Sequence, residues 1–237
     1  MENFWNRGVS YHQLDSLRLA FADFDRALKI ADSLKARLYN RRAAISYDMG
    51  HYESAVSDYD KAIALDAKNL DFRIGRASAK IKLNDFESAD NDFQWIFDID
   101  STNEVALYNQ AVMYWNVSDK KQLVLSNFKK LLRYHPTAEN LYYSGQYFIE
   151  LENYAAALRD FENALALESD NINYRVEKVF CLGMLGKGSD AKLAFAELER
   201  ADNSNALLYW RRGLLFLYMK KDSKACIDFR RAKSLGM

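Results

Sequence analysis

The sequence is poor in the residues that interrupt regular structure. It has one proline, Pro136, and nine glycines in 237 residues, whereas aromatic residues make up 14%. A chain with so few breakers and so many large apolar side chains is neither disordered nor collagen-like. Its two cysteines, Cys181 and Cys226, are too few for a disulfide framework or a cysteine-rich zinc site. We interpret them as small core residues of a reducing compartment.

An excess of charge of one sign is also lacking. Lys and Arg together number 33, as do Asp and Glu, so the formal net charge is zero. This balance argues against a non-specific nucleic-acid binder and against a polybasic membrane anchor. No signal peptide is visible, and the best apolar run, 206–219, is interrupted by Arg211 and Arg212. Unless a signal was trimmed away, we expect a cytoplasmic protein that does not contact a membrane.

What the sequence does contain is an aromatic column that recurs every 33 to 35 residues. In most periods a glycine or alanine stands sixteen residues before the aromatic, and small or aliphatic residues stand four before and three after it. Spacings of three and four place side chains on one helix face. Each period therefore predicts two short amphipathic helices in close contact, with the aromatic ring between them. The column consists of Phe24, Tyr59, Phe93, Phe128, Phe161, Phe195 and Phe229.

The segments between these helices contain turn and capping residues. Gly50 and Asn84 tolerate the left-handed backbone that ends a helix. Asn, Asp, Ser and Thr residues mark the joints between periods, where they can cap the next helix, and Pro136 lies in one such joint. The glycine-containing stretch 183–188 lacks the spacing of a phosphate-binding loop, so we interpret it as a helix–helix turn.

This pattern resembles the tetratricopeptide repeat. Residues 42–66 match the signature of that family at nearly every marked column, and Pro136 falls at the inter-repeat proline of the consensus. The resemblance implies an all-α, right-handed α-solenoid of about 14 helices in antiparallel pairs. We expect a single array over 1–237, in which the irregular turn at 117–121 is a local kink. The seven tandem repeats are predicted at about 1–34, 35–69, 70–103, 104–137, 138–171, 172–205 and 206–237.

A second column pairs arginine in the first helix of a repeat with aspartate in the second helix. Our hypothesis is a ladder of ion pairs that joins the two helices of a repeat, or adjacent repeats. The alternative is a set of independent, solvated charges. Four repeats carry both residues, as Arg7 and Asp23, Arg42 and Asp58, Arg76 and Asp92, and Arg212 and Asp228.

Candidate functional residues follow from the resemblance, which implies that the first helix of each repeat lines an inner groove. Aromatic residues predominate at the inward phases, and Tyr, Trp and Arg are favoured at binding hot spots. The alternative is that these rings pack on one another. The predicted partner-binding residues are Trp5, Asn40, Arg41, Tyr47, Tyr108, Asn109, Trp115, Tyr142, Tyr143, Gln146, Phe180, Trp210, Arg211 and Tyr218.

The sequence gives little indication of catalysis. His12, His51 and His135 occupy different positions within their repeats, so we expect them to lie far apart in space. We predict no enzyme, no catalytic residues, no cofactor and no metal. The Lys and Asn columns with which some family members clamp chaperone C-termini are replaced here, for example by Trp5 and Tyr108. We therefore predict a non-catalytic protein–protein interaction scaffold whose groove binds another peptide or protein.

Two other functions stay open. One is a self-assembling module, or a part of a larger complex, that forms homo-oligomers through terminal repeats without a separate capping helix. Light scattering would test it. The other is an RNA-binding helical repeat, since aromatic rings can stack on bases, although the neutral charge argues against nucleic acid. Salt-sensitive RNA binding would test that function.

Overall fold

The computed structural model describes residues 2–31, 33–115 and 117–237, with Ser118 described by its backbone alone. Met1, Asp32 and Asn116, in the first and fourth predicted repeats, lie outside the described residues. The described residues form fourteen α-helices, one short 3-10 helix at Ser118–Lys120 and no β-strand, which confirms the all-helical prediction. The helices are α1 (Glu2–Gln13), α2 (Leu17–Ile30), α3 (Lys35–Asp48), α4 (Tyr52–Leu65), α5 (Leu70–Lys82), α6 (Phe86–Ile99), α7 (Glu104–Met113), α8 (Lys121–Tyr134), α9 (Ala138–Glu150), α10 (Tyr154–Leu167), α11 (Ile172–Met184), α12 (Gly188–Ala201), α13 (Ala206–Tyr218) and α14 (Asp222–Ser234).

The chain divides into two compact units, residues 1–130 and 131–237, with the division inside α8. The first unit contains α1 to α7 and most of α8. Its helices pack in the pairs α1–α2, α3–α4 and α5–α6. The second unit contains the end of α8 and the pairs α9–α10, α11–α12 and α13–α14. We call the odd-numbered helices the first helices of their repeats and the even-numbered helices the second helices.

In several helix pairs, a small residue of the first helix faces an aromatic ring of the second helix. A Cβ atom added to Gly145 would lie 2.7 Å from the ring of Phe161, and one added to Gly213 would lie 2.7 Å from Phe229. Phe161 is completely buried. Because neither ring could keep its place beside a larger side chain, the sixteen-residue spacing in the sequence corresponds to a direct contact between helices.

The helix ends follow the local chemistry of the sequence. Gly50 and Asn84 have positive φ angles of 78° and 60°, as expected for left-handed turn positions. The Asn103 side chain accepts a hydrogen bond from the backbone N–H of Ala106 and caps α7, and Thr137 caps α9 in the same way. The stretch 183–188 is a helix–helix turn, since α11 ends at Met184 and α12 begins at Gly188.

The arginine–aspartate ladder is present within repeats. In four repeats the arginine side chain of the first helix donates to an aspartate of the second helix, and these aspartates are almost fully buried. Two parallel N–H···O bonds to one carboxylate are the strong form of this contact. The Nε–Oδ2 distances are 2.6 Å for Arg7 and Asp23, 2.6 Å for Arg42 and Asp58, 2.9 Å for Arg76 and Asp92, and 2.8 Å for Arg212 and Asp228.

Three of these arginines also reach the second helix of the preceding repeat. There Nη1 donates to another carboxylate, so one guanidinium joins three helices of two repeats. The ladder therefore contributes to packing both within and between repeats. The Nη1 distances are 2.7 Å from Arg42 to Asp25, 2.6 Å from Arg76 to Asp60 and 2.6 Å from Arg212 to Glu199.

Two repeats form the corresponding contact without arginine. Asn127 donates to Gln110 over 2.8 Å, and Ser144 donates to Asp160 over 2.6 Å. Burial raises the pKa of Asp160, although Ser144 and the charge of Arg159 act in the opposite direction. In contrast, the hydrogen bond from Arg7 lowers the pKa of Asp23 at the matching position. At the same repeat position, Arg7 therefore stabilises the charged form of Asp23, whereas burial disfavours the charged form of Asp160.

Candidate functional site

The candidate site is the surface formed by the first helices, which we call the first-helix surface of each unit. In the first unit α3 contacts α5, and α5 contacts α7; in the second unit α11 contacts α13. All the predicted groove residues except Trp115 lie on first helices. Trp115 lies in the turn that follows α7, because that helix ends at Met113.

In the first unit, the predicted residues Trp5, Tyr47 and Trp115 are half-buried and pack against rings of second helices. The ring centroid of Trp5 lies 5.7 Å from that of Phe24, and the ring centroid of Trp115 lies 5.9 Å from that of Phe128, both edge-on. Tyr47 packs at 5.3 Å on a ring at the start of α4. The polar members of the predicted set lie beside them, with Arg41 exposed and with Asn40, Tyr108 and Asn109 half-buried.

In the second unit, the rings are anchored in the same way. The ring centroid of Trp210 lies 5.2 Å from that of Phe229, yet 39% of Trp210 is exposed. Tyr218 is 61% exposed. Tyr142 packs against Tyr143 at 5.7 Å, and it also contacts rings of α10 and α11. The rings therefore pack mainly on other helices, with the edges of several left open to solvent.

Three polar side chains from three repeats meet on this surface of the second unit. Gln146 donates to Glu177 over 2.6 Å, and Nη2 of Arg211 donates to Oε1 of Gln146 over 2.7 Å. Nε of Arg211 lies 2.8 Å from Oε2 of Glu177. The two groups form an ion pair, but their geometry is not that of a hydrogen bond. Glu177 is completely buried, and this burial raises its pKa although Arg211 acts in the opposite direction. Glu177 is not in the predicted partner-binding set, although it stands 34 residues before Arg211 in the same column.

A cleft of about 470 Å³ lies beside this network, between residues of α9, α11 and α13, the turn before α10 and Tyr154 at the start of α10. Phe180, predicted as a groove residue, is only 3% exposed and forms part of the cleft wall. The guanidinium of Arg211 stacks over the Phe180 ring at 4.9 Å. Glu150 and Glu152 are exposed at the edge. The cleft thus combines a fixed apolar wall with acidic groups.

In residues 2–31, 33–115 and 117–237, no group of three or more His, Cys, Asp or Glu side chains is placed to hold a metal ion. None of the helices in the same ranges is long and apolar enough to span a bilayer.

Comparisons with known proteins point to one family. The family model described as tetratricopeptide repeat matches residues 36–69. Human DnaJ homolog subfamily C member 7 is 22% identical over 251 residues, covering 99% of this chain and 46% of that protein. The chain therefore spans about half the length of this curated relative.

Two solved structures share the fold. A tetratricopeptide repeat protein from Parabacteroides merdae ATCC 43184 superposes with a TM-score of 0.75 at 20% identity, covering 100% of this chain and 93% of that one. YrrB, described as a TPR protein with an unusual peptide-binding site, gives a TM-score of 0.55 at 22% identity, with coverages of 75% and 92%.

Proposed function

We propose that this chain, a tetratricopeptide repeat protein, is a non-catalytic interaction scaffold whose first-helix surface binds a peptide or a partner protein. The observation that carries this proposal is the exposure of large apolar side chains along α13. Trp210 is 39%, Leu217 50% and Tyr218 61% exposed. Apolar groups clustered on a protein surface are typical of interaction sites, and Trp and Tyr supply much of the energy there.

The anchoring of these rings favours binding. Trp210 rests on Phe229, and Trp5 rests on Phe24, so their orientations are largely set before a partner arrives. A pre-ordered side chain loses less conformational entropy on association, by about 0.5–1.5 kcal/mol per residue. The description of YrrB as a peptide-binding TPR protein also supports a peptide ligand, by analogy of fold alone.

The test uses the full chain and a random peptide library displayed on phage. Selected peptides are then titrated against the Trp210→Ala/Tyr218→Ala variant. We expect binding to weaken at least about tenfold, because two anchors of this kind are each worth more than 1 kcal/mol. Both side chains are partly or largely exposed, so the fold should survive, which circular dichroism checks.

The matched control is Leu193→Ala/Ile227→Ala. These side chains are 69% and 58% exposed, but they lie on the second helices α12 and α14. The control should bind like the wild type. Failure to select any peptide that saturates, or equal loss in both variants, would contradict the proposal. Light scattering on the same samples measures whether copies of the chain associate.

A further inference from the structure

The cleft of the second unit has the shape and chemistry of a pocket for one large apolar side chain. Its volume, about 470 Å³, lies within the usual range for ligand pockets of roughly 300–1,000 Å³. Leu217 and Tyr218 are half or more exposed at its side, so they gain burial when it is filled. Its apolar wall is formed by Ile149, Phe180, Met184, Leu214, Leu217 and Tyr218.

The positive charge of Arg211, which lines the cleft, is already neutralised. Arg211 is only 11% exposed and lies 2.8 Å from the buried carboxylate of Glu177. Its guanidinium is further held by Gln146 at 2.7 Å and by the Phe180 ring. Arg211 therefore contributes a flat, fixed surface to the cleft rather than a free positive charge that would attract an anionic ligand.

The edge of the cleft is acidic. Glu150 ends α9, and Glu152 follows in a turn with a positive φ of 55°. The turn is anchored by the N–H of Glu152, which donates to Ile149 over 2.8 Å, and by Asn153, which caps α10. Within the described part of the chain, neither carboxylate has a cationic partner. Two exposed carboxylates at an anchored turn create a local negative potential.

We propose that this cleft binds a peptide segment in which a large apolar side chain is followed by lysine or arginine. This inference rests on the proposed function and specifies its ligand. The apolar side chain fills the space between α9, α11 and α13. The adjacent cation lies against Glu150 and Glu152, where an acidic residue would be repelled. Electrostatic complementarity of this kind selects among partners that share the same apolar anchor.

The probe is a set of four blocked octapeptides on a Gly-Ser background, with central Leu-Lys, Leu-Gln, Leu-Glu or Ala-Lys. The protein carries ¹³C at its methionine methyl groups. Met184 lines the cleft, and Met113 in the first unit is the internal reference. We expect the Leu-Lys peptide to shift the Met184 methyl resonance and to leave Met113 unchanged. We also expect it to bind at least about tenfold more tightly than Leu-Glu, and Ala-Lys to bind weakly.

Charge reversal at the edge gives the second arm. In Glu150→Lys/Glu152→Lys the preference should change to Leu-Glu. The control Glu53→Lys/Glu87→Lys makes the same charge change at exposed positions of the first unit and should keep the preference for Leu-Lys. All four positions are exposed, so both variants should fold, which the methyl spectrum itself reports.

The outcomes separate this inference from the proposed function. Equal affinities for Leu-Lys and Leu-Glu, or no shift of Met184 with any of the four peptides, would overturn the inference. If library-selected peptides still bind in that case, the scaffold function stands and its site lies elsewhere. If no selected peptide binds the full chain, both fail.

Discussion

Replacing Arg42 with methionine should destabilise the first unit strongly. Arg42 donates two hydrogen bonds to Asp58, of 2.6 and 2.8 Å, and one of 2.7 Å to Asp25. The Arg42 side chain is 15% exposed and that of Asp58 is 6% exposed. Without Arg42, Asp58 keeps only Lys61 among the residues that the structure describes; the Lys61 Nζ is 3.0 Å away, and its side chain is 47% exposed. The substitution therefore leaves a buried carboxylate with one weak partner.

The expected cost lies at the lower end of the range for such losses. Breaking a buried ion pair costs about 3–5 kcal/mol. Because Lys61 remains and because Arg42 retains some contact with solvent, we expect about 3 kcal/mol. With a urea dependence of about 2 kcal/mol per molar, the midpoint of unfolding should fall by about 1.5 M. Circular dichroism and tryptophan fluorescence measure it, since three of the four tryptophans lie in residues 1–130.

Two further variants make the test decisive. Arg42→Met/Asp58→Leu removes both charges and should recover at least half of the loss, because no unpaired buried charge is left. Arg26→Met is the matched control, since Arg26 is 59% exposed and lies 3.6 Å from Asp23; it should cost less than about 1 kcal/mol. If Arg42→Met costs no more than Arg26→Met, or if the double variant is the least stable, desolvation of the ladder is not the cause.

Three other predictions test the packing and the titration of the chain. Asp160→Asn should stabilise the protein at pH 7, because burial raises the pKa of this carboxyl in the folded state. The gain in free energy of unfolding should disappear as the pH falls below about 3.9, the pKa of an unfolded aspartate. A gain that persists in acid would contradict this cause. Gly145→Ala should lower the free energy of unfolding by about 1–3 kcal/mol, because the new Cβ would lie 2.7 Å from the buried Phe161 ring. An unchanged urea midpoint would show that the ring can move. Ellman's reagent should modify the exposed Cys226 quickly and Cys181 only after unfolding, because Cys181 is buried and burial raises its pKa to about 12. Rapid modification of both thiols would show that the second unit opens readily.

The candidate site was only partly predictable. Trp210 and Tyr218 lie exposed on a first helix, at positions where the repeat pattern predicts partner-binding residues. Trp115 follows the same phase but lies beyond the end of α7, because the fourth repeat has an irregular turn. Glu177 stands at an inward-facing position of the repeat pattern but is absent from the predicted partner-binding set. Its importance comes from two partners in other repeats.

The sequence by itself determined the helix pairs and their turns, and it placed Arg42 and Asp58 in two columns that could pair within a repeat or between repeats. These features depend on spacing within one short stretch, where helix geometry relates position directly to face. The tertiary structure alone decided which carboxylate of the neighbouring repeat each arginine reaches. It also decided that Gln146 and Arg211, 65 residues apart, meet around Glu177. Such contacts depend on how one helix is offset along the next, which is set by the packing of all the side chains between them.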